Sequence, residues 1–165
     1  MEQNPKVEHL YVESVQDLSH KISAGQYLSR YYIGMRDEGK IWANKCPNCG
    51  LTILPPRIVC VFCKVTIEDV EENWVQLSDK GTLISSFTIA RRDIDPFTGE
   101  MQGLENPHIY VLLDGGDERT IFTHILESTE ADKARPGMRV EAVWKPRELR
   151  FGRVTDIQCF RLIEE

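Results

Sequence analysis

Cys46-Pro47-Asn48-Cys49-Gly50 and, ten residues after Cys49, Cys60-Val61-Phe62-Cys63 form two Cys-x-x-Cys knuckles. Each knuckle is a tight turn that delivers two thiolates, and two knuckles at this separation place four sulfurs tetrahedrally around one metal ion. Pro47 favours the first turn, and Gly50, with no Cβ, lets backbone N–H groups swing toward the thiolates. Lys64 stands at the matching place in the second knuckle. That turn is expected to be less ideal, although the lysine offsets part of the negative charge on sulfur. Disulfides are the competing use of these residues, but they need an oxidising compartment, and Met1-Glu2-Gln3-Asn4-Pro5 begins no apolar signal segment. The expectation is a structural metal site in a cytoplasmic protein. A purely structural four-sulfur site favours Zn²⁺, while the same geometry also suits a rubredoxin-like iron centre.

The 165 residues accommodate a small metal-stapled module plus a domain of about a hundred residues. No run approaches the roughly 20 consecutive apolar residues that a membrane-spanning helix needs. The formal net charge is −6, and one Zn²⁺ on four thiolates would take it to about −8. Such a balance disfavours non-specific nucleic-acid binding, which depends on Lys and Arg displacing counterions.

Three segments are expected: residues 1–39 an N-terminal arm and helices, 40–77 the ribbon and a connector, and 78–165 a β domain. Ser14-Val15-Gln16-Asp17 reads as a capping box for a short helix ending at Gly25. A second helix runs from about Gln26 to Glu38 and stops at Gly39. Tyr27, Leu28, Tyr31, Tyr32 and Met35 share one of its faces. That face serves either to pack on the ribbon or, through Tyr27, Tyr31, Tyr32 and Met35, to dock on a partner. The ribbon is expected to have strands at Ile41 to Ala43 and Leu51 to Leu54, and the acidic run Glu68 to Glu72 reads as a solvated connector leading to a strand at Trp74 to Leu77.

Beyond residue 78, alternation places Leu83, Ser85, Phe87 and Ile89 on one face of a strand from Thr82 to Ala90. Turn signals at Asp95-Pro96 and Thr98-Gly99 mark Arg91 to Asn106 as a long loop. Runs at His108 to Leu113 and Thr120 to Leu126 flank Asp114-Gly115-Gly116-Asp117, a hairpin signal. A short helix at Ser128 to Ala134 and strands at Met138 to Trp144 and Val154 to Ile163 complete the set. Three strands, a helical connection and two strands is the order of an OB-fold, with a five-stranded sandwich as the rival. The expected fold is thus mainly β: N-terminal helices and a rubredoxin-like zinc ribbon followed by a five-stranded OB-fold barrel.

These segments resemble the DUF35 family, acyl-CoA-associated proteins with an N-terminal rubredoxin-like zinc ribbon and a C-terminal OB-fold. The resemblance covers roughly residues 26–165. It is carried by the two knuckles, by Leu54-Pro55-Pro56-Arg57 between them, and by Lys80-Gly81-Thr82-Leu83. Asn106-Pro107-His108-Ile109-Tyr110-Val111 and Pro136-Gly137-Met138-Arg139-Val140 extend it. Lys64, Asp79 and the long Arg91 to Asn106 stretch depart from the family pattern. The resemblance implies a non-catalytic small subunit that assembles with a thiolase-like protein and helps shape its CoA site. Within the family it is similar to the small subunit of the thiolase of anaerobic toluene (benzylsuccinate) degradation, where a β-oxoacyl-CoA is cleaved by CoA and the partner holds the nucleophilic cysteine.

The residues themselves agree that chemistry within this chain is not expected. Four cysteines saturate a tetrahedral ion and leave no position for water or substrate. Cys159 reads as a core thiol, His124 as a structural histidine on a strand, and His9, His20 and His108 fall in no catalytic pattern. Lys145, Arg147, Arg150 and Arg153 surround one turn whose only acid is Glu148. With Arg91 and Arg92 they form a candidate site for CoA phosphates or an acidic partner surface, against the plainer reading of solvated charges. A single-stranded nucleic-acid module and a rubredoxin-like electron carrier are the alternative classes.

Overall fold

A computed structural model describes residues 21–94 and 101–164. Helix α1 (Gly25–Ile33) continues through one wider turn, Gly34–Glu38, and stops where Gly39 takes a left-handed conformation at φ 65°. The expected helix at Gln26 to Glu38 is therefore present, whereas the Ser14 capping box lies outside the described residues. Strands β1 (Ile41–Lys45), β2 (Thr52–Ile53) and β3 (Trp74–Leu77) form an antiparallel sheet in the order β2-β1-β3. Strands β4 (Lys80–Ile94), β5 (Met101–Leu113), β6 (Phe122–Ile125), β7 (Arg139–Trp144) and β8 (Ile157–Ile163) form a second sheet in the order β6-β5-β4-β7-β8. A parallel bridge between Leu126 and Phe160 joins its two ends. A five-stranded sheet closed by a parallel contact between its third and fifth strands is an OB-fold barrel.

Two corrections concern the first barrel hairpin. Arg91 to Asn106 is not a loop: β4 and β5 stay paired from Gly81↔Leu113 out to Ile94↔Met101. Asp95-Pro96 and Thr98-Gly99 lie outside the described residues. The polar run Arg91-Arg92-Asp93 hid the strand signal, because it lacks the apolar alternation by which a strand is read from sequence. The second correction is one of facing. A register shift between Leu83 and Ser85 inserts Ile84 as an extra residue, and a bulge of this kind reverses the facing of everything after it. Leu83 is buried, but Ile89 is exposed, and Phe87 stacks on Tyr110 and His108 outside the barrel.

One core joins the segments. Tyr31 and Met35 from the helix, Ile41 and Ala43 from β1 and Leu77 from β3 pack in the same cluster as Leu83, Ile109, Val111, Val140 and Phe160 of the barrel. A separate small cluster, Cys46, Leu51, Ile53, Cys60 and Ile67, surrounds the knuckles. The acidic connector is tied down rather than free. Arg30 donates to both carboxylate oxygens of Glu71 at 2.7 and 2.8 Å, Gln26 hydrogen-bonds Asp69, and the Trp74 indole N–H donates to Asp69 at 2.6 Å.

Candidate metal centre

Each knuckle repeats one hydrogen-bond pattern. Cys46 N–H donates to Leu51 O and Gly50 N–H to Cys46 O, both at 2.9 Å. Cys60 N–H donates to Val65 O at 2.9 Å and Lys64 N–H to Cys60 O at 3.2 Å. The turns therefore superpose in kind, with Gly50 and Lys64 at equivalent places. They bring the Sγ atoms of Cys46, Cys49, Cys60 and Cys63 within 4.8 Å of one another. Cys46 and Cys63 sulfurs are 3.4 Å apart, and those of Cys49 and Cys60 are 3.6 Å apart. A tetrahedron with metal–sulfur bonds of about 2.3 Å has edges of about 3.8 Å. The four thiols fit a single ion, and the donor set is that of a structural site.

The surroundings favour thiolate at Cys60 and Cys63, whereas at Cys49 the Leu51 N–H is outweighed by desolvation and the neighbouring sulfurs, which push the thiol up to about 11. The backbone N–H of Val65, helped by the Asn48 side chain, draws the Cys63 thiol down to about 6. The N–H groups of Cys63 and Phe62 lower Cys60. Such N–H···S contacts stabilise the charged ligands that an ion requires. Cys46 and Cys60 are buried while Cys49 is exposed, so the site sits at one end of the ribbon with one sulfur toward solvent.

Sequence reasoning missed Asn44. It is fully buried on β1, its Nδ2 donates to Arg57 O at 2.7 Å, and its Oδ1 accepts from Arg57 N–H at 3.2 Å. It thereby holds the segment that leads into the second knuckle. A polar residue between inward-facing Ala43 and Cys46 was the available signal.

The other candidates are distributed. Tyr31 and Met35 are buried within the chain, Tyr27 donates to Ile67 O at 2.5 Å and stacks on Trp74, and Tyr32 is half-buried. The helix face thus lies against the ribbon and β3. Of the cations, Arg150 donates to Lys145 O at 2.7 Å and its guanidinium lies 5.2 Å from the Trp144 ring. Arg147 and Arg153 are exposed. Asp37, held below the usual carboxylate range by its hydrogen bonds to Arg36, also feels the charge of Arg147. Arg91 and Arg92 pair through their backbones with Leu104 and Gly103, and their side chains lie outside the described residues. Cys159 is buried beside Glu127, and burial first, then that carboxylate, push its thiol up to about 11. That is the behaviour of an inert core thiol. His124 Nε2 donates to Val154 O at 3.2 Å between Phe122 and Phe160, and His108 Nδ1 donates to Asn106 O at 2.9 Å. His9 and His20 lie outside the described residues.

A four-sulfur ribbon sharing its core with an OB-fold barrel defines a class of two-module protein. Family models place it further. The ChsH2 rubredoxin-like zinc ribbon domain matches residues 35–69 and the ChsH2 C-terminal OB-fold domain matches residues 74–145, together more than half of the chain. The chain belongs to this ChsH2 (DUF35) family. Among solved structures it is similar to a DUF35 protein of unknown function from Sulfolobus solfataricus, at 18% identity and a TM-score of 0.54, covering 84% of each chain. It is also similar to an Ltp2–ChsH2(DUF35) aldolase, at 17% identity and a TM-score of 0.55, covering 86% of this chain and 98% of the other. At these identities the likeness concerns the fold. A search of curated protein sequences returned no significant match. Among the described residues no helix is long and apolar enough to cross a membrane.

Proposed function

We propose that this chain is a zinc-binding accessory subunit of a thiolase-type acyl-CoA enzyme and does no chemistry alone. The observation that carries the reading is the saturated four-sulfur centre in a ribbon whose strands share a core with an OB-fold, the architecture also present in the Ltp2–ChsH2(DUF35) aldolase. Cys46, Cys49, Cys60 and Cys63 would hold Zn²⁺, which stiffens the ribbon and leaves no open coordination position. The catalytic partner supplies the nucleophile, and the two proteins form a cytoplasmic hetero-oligomer. Exposed Arg147 and Arg153, with Lys145, Arg91 and Arg92, attract CoA phosphates near the interface. The reaction is thiolytic cleavage of a β-oxoacyl-CoA of the kind met in anaerobic aromatic hydrocarbon breakdown.

The test is co-purification of the full chain from its host with identification of what accompanies it, followed by metal analysis. One zinc per chain, a colourless sample and a thiolase-type subunit are expected. A red, iron-loaded protein with no acyl-CoA enzyme attached would refute the reading. Arg147→Glu with Arg153→Glu is expected to weaken CoA binding to the complex severalfold, and unchanged affinity removes the CoA assignment. The likeness to an aldolase complex favours one second reading, retro-aldol cleavage of a β-hydroxyacyl-CoA without added CoA. Assaying the purified complex with both substrate types, with and without CoA, separates the two.

A further inference from the structure

The second knuckle carries more exposed apolar surface than a free surface needs. Ile58, Val59, Val61, Phe62 and Val65 are each between 38% and 58% exposed, all within one short hairpin. That hairpin is held by the Ile67 N–H to Ile58 O bond at 2.7 Å, the Cys60 N–H to Val65 O bond at 2.9 Å and the Val59↔Thr66 bridge. Metal-ligating Cys60 and Cys63 lie within it, so the apolar side chains project from a stiff support. Arg119 lies 5.2 Å over the Phe62 ring, and the adjacent Thr120 Oγ1 donates to Thr52 O on β2 at 2.5 Å.

Charge narrows the occupant. Between Gly39 and Ile67 the sequence has four Lys or Arg and no Asp or Glu, in a chain with 26 acidic residues. Of these cations Lys40 pairs with Glu38, while Lys45, Arg57 and Lys64 are exposed and none has a carboxylate partner among the described residues. An apolar centre rimmed by unpaired cations matches a protein surface that is apolar in the middle and carries carboxylates at its edge. A continuous anionic surface fits less well. Glu68, Asp69, Glu71 and Glu72 follow directly in sequence, and their charge would oppose the approach of a membrane or nucleic-acid phosphate surface.

We infer that the second knuckle is the docking surface for the catalytic subunit, a protein presenting an apolar patch bordered by Asp and Glu. This rests on the accessory-subunit reading above. Val61 and Phe62 insert into the partner while Lys45, Arg57 and Lys64 steer the approach.

The test uses the full zinc-loaded chain and the purified thiolase-type subunit, with affinity measured by titration calorimetry. Val61→Asp with Phe62→Glu is expected to weaken binding at least tenfold while zinc content stays unchanged and the thermal midpoint falls only by the small loss of the Arg119 contact over Phe62. Ile84→Glu, at an exposed position on the barrel, is expected to leave affinity within twofold. Lys45→Glu with Arg57→Glu is expected to slow association and flatten its salt dependence. If the wild-type chain does not bind a thiolase-type subunit, the accessory-subunit reading and this surface fall together. If the wild type binds and the Val61, Phe62 variant binds equally well, the surface falls alone. Vesicles of phosphatidylserine and phosphatidylcholine supply a third arm. Capture of the wild type on them, abolished in that variant, would reassign the face to lipid and overturn the inference.

Discussion

Gly50 and Lys64 occupy equivalent left-handed positions one residue after the last sulfur of each knuckle, with φ of 71° and 59°. The lysine is the one non-glycine residue with positive φ among those described, and its Nζ donates to Val61 O at 2.7 Å on the exposed surface. A Cβ in this conformation costs roughly 1–2 kcal/mol, and glycine returns roughly 0.5–1 kcal/mol of that through the entropy of the unfolded chain. Lys64→Gly is therefore expected to stabilise the metal-loaded protein by up to about 1 kcal/mol. Gly50→Ala is expected to destabilise it by a similar amount. Nothing but Lys45 Cε, at 4.0 Å, lies near the added methyl, so the cost is one of backbone conformation. Urea denaturation of the two variants checks both signs.

Gly81 lies in the middle of the barrel sheet, paired with Leu113 on one side and Val140 on the other. A Cβ there would sit 2.4 Å from Leu112 O and 2.7 Å from Val111 Cγ1. The backbone oxygen cannot rotate away, so Gly81→Ala is expected to cost about 3 kcal/mol. Gly137→Ala has open space around it and only its φ of 92° to satisfy, so the loss there is about 1 kcal/mol. Thermal unfolding of the pair separates steric from conformational cost. The Lys80-Gly81-Thr82-Leu83 motif can be read from the amino-acid order, but the reason for its glycine cannot, because Leu112 comes from another strand.

Asp156 is buried and accepts from the backbone N–H groups of Phe151 at 3.0 Å, Gly152 at 2.7 Å and Arg153 at 3.1 Å. Burial alone would raise its pKa, but these donors outweigh it and hold the carboxyl below its ordinary 3.8. A depressed carboxylate contributes stability that is complete above the unfolded value and is lost as pH falls through the folded one. Asp156→Asn is expected to cost about 2 kcal/mol at pH 7. That difference should shrink below pH 4, as measured by denaturation across pH.

His124 is held below its ordinary 6.5 chiefly by burial, and its Nδ1 has no hydrogen-bond partner. The unfolded chain then takes up a proton more readily than the folded one. Its contribution is absent above pH 6.5 and destabilises progressively as pH falls below that value. His124→Leu is expected to flatten the thermal midpoint between pH 7 and 5, and an equal slope in the variant would remove the histidine from the account.

The four-cysteine cluster was open to sequence reasoning because knuckle spacing is local: four sulfurs meet through turns a few residues long. The barrel's strand order was legible for the same reason, each run being marked by its own alternation and turn residues. Facing was not. Ile84 looks like any strand residue, yet as a bulge it turns Phe87 and Ile89 outward, and only the pairing with Tyr110 and Val111 reveals it.

What the amino-acid order alone determined was the metal ligand set, the two-module plan and the succession of strands, all of which depend on neighbours along the chain. Tertiary structure decided where the aromatic helix face goes, that the acidic connector is anchored by Arg30 and Gln26, and that Ile58, Val59, Val61, Phe62 and Val65 stay exposed together on the second knuckle. These outcomes depend on contacts between residues tens of positions apart, and local periodicity carries no record of such contacts.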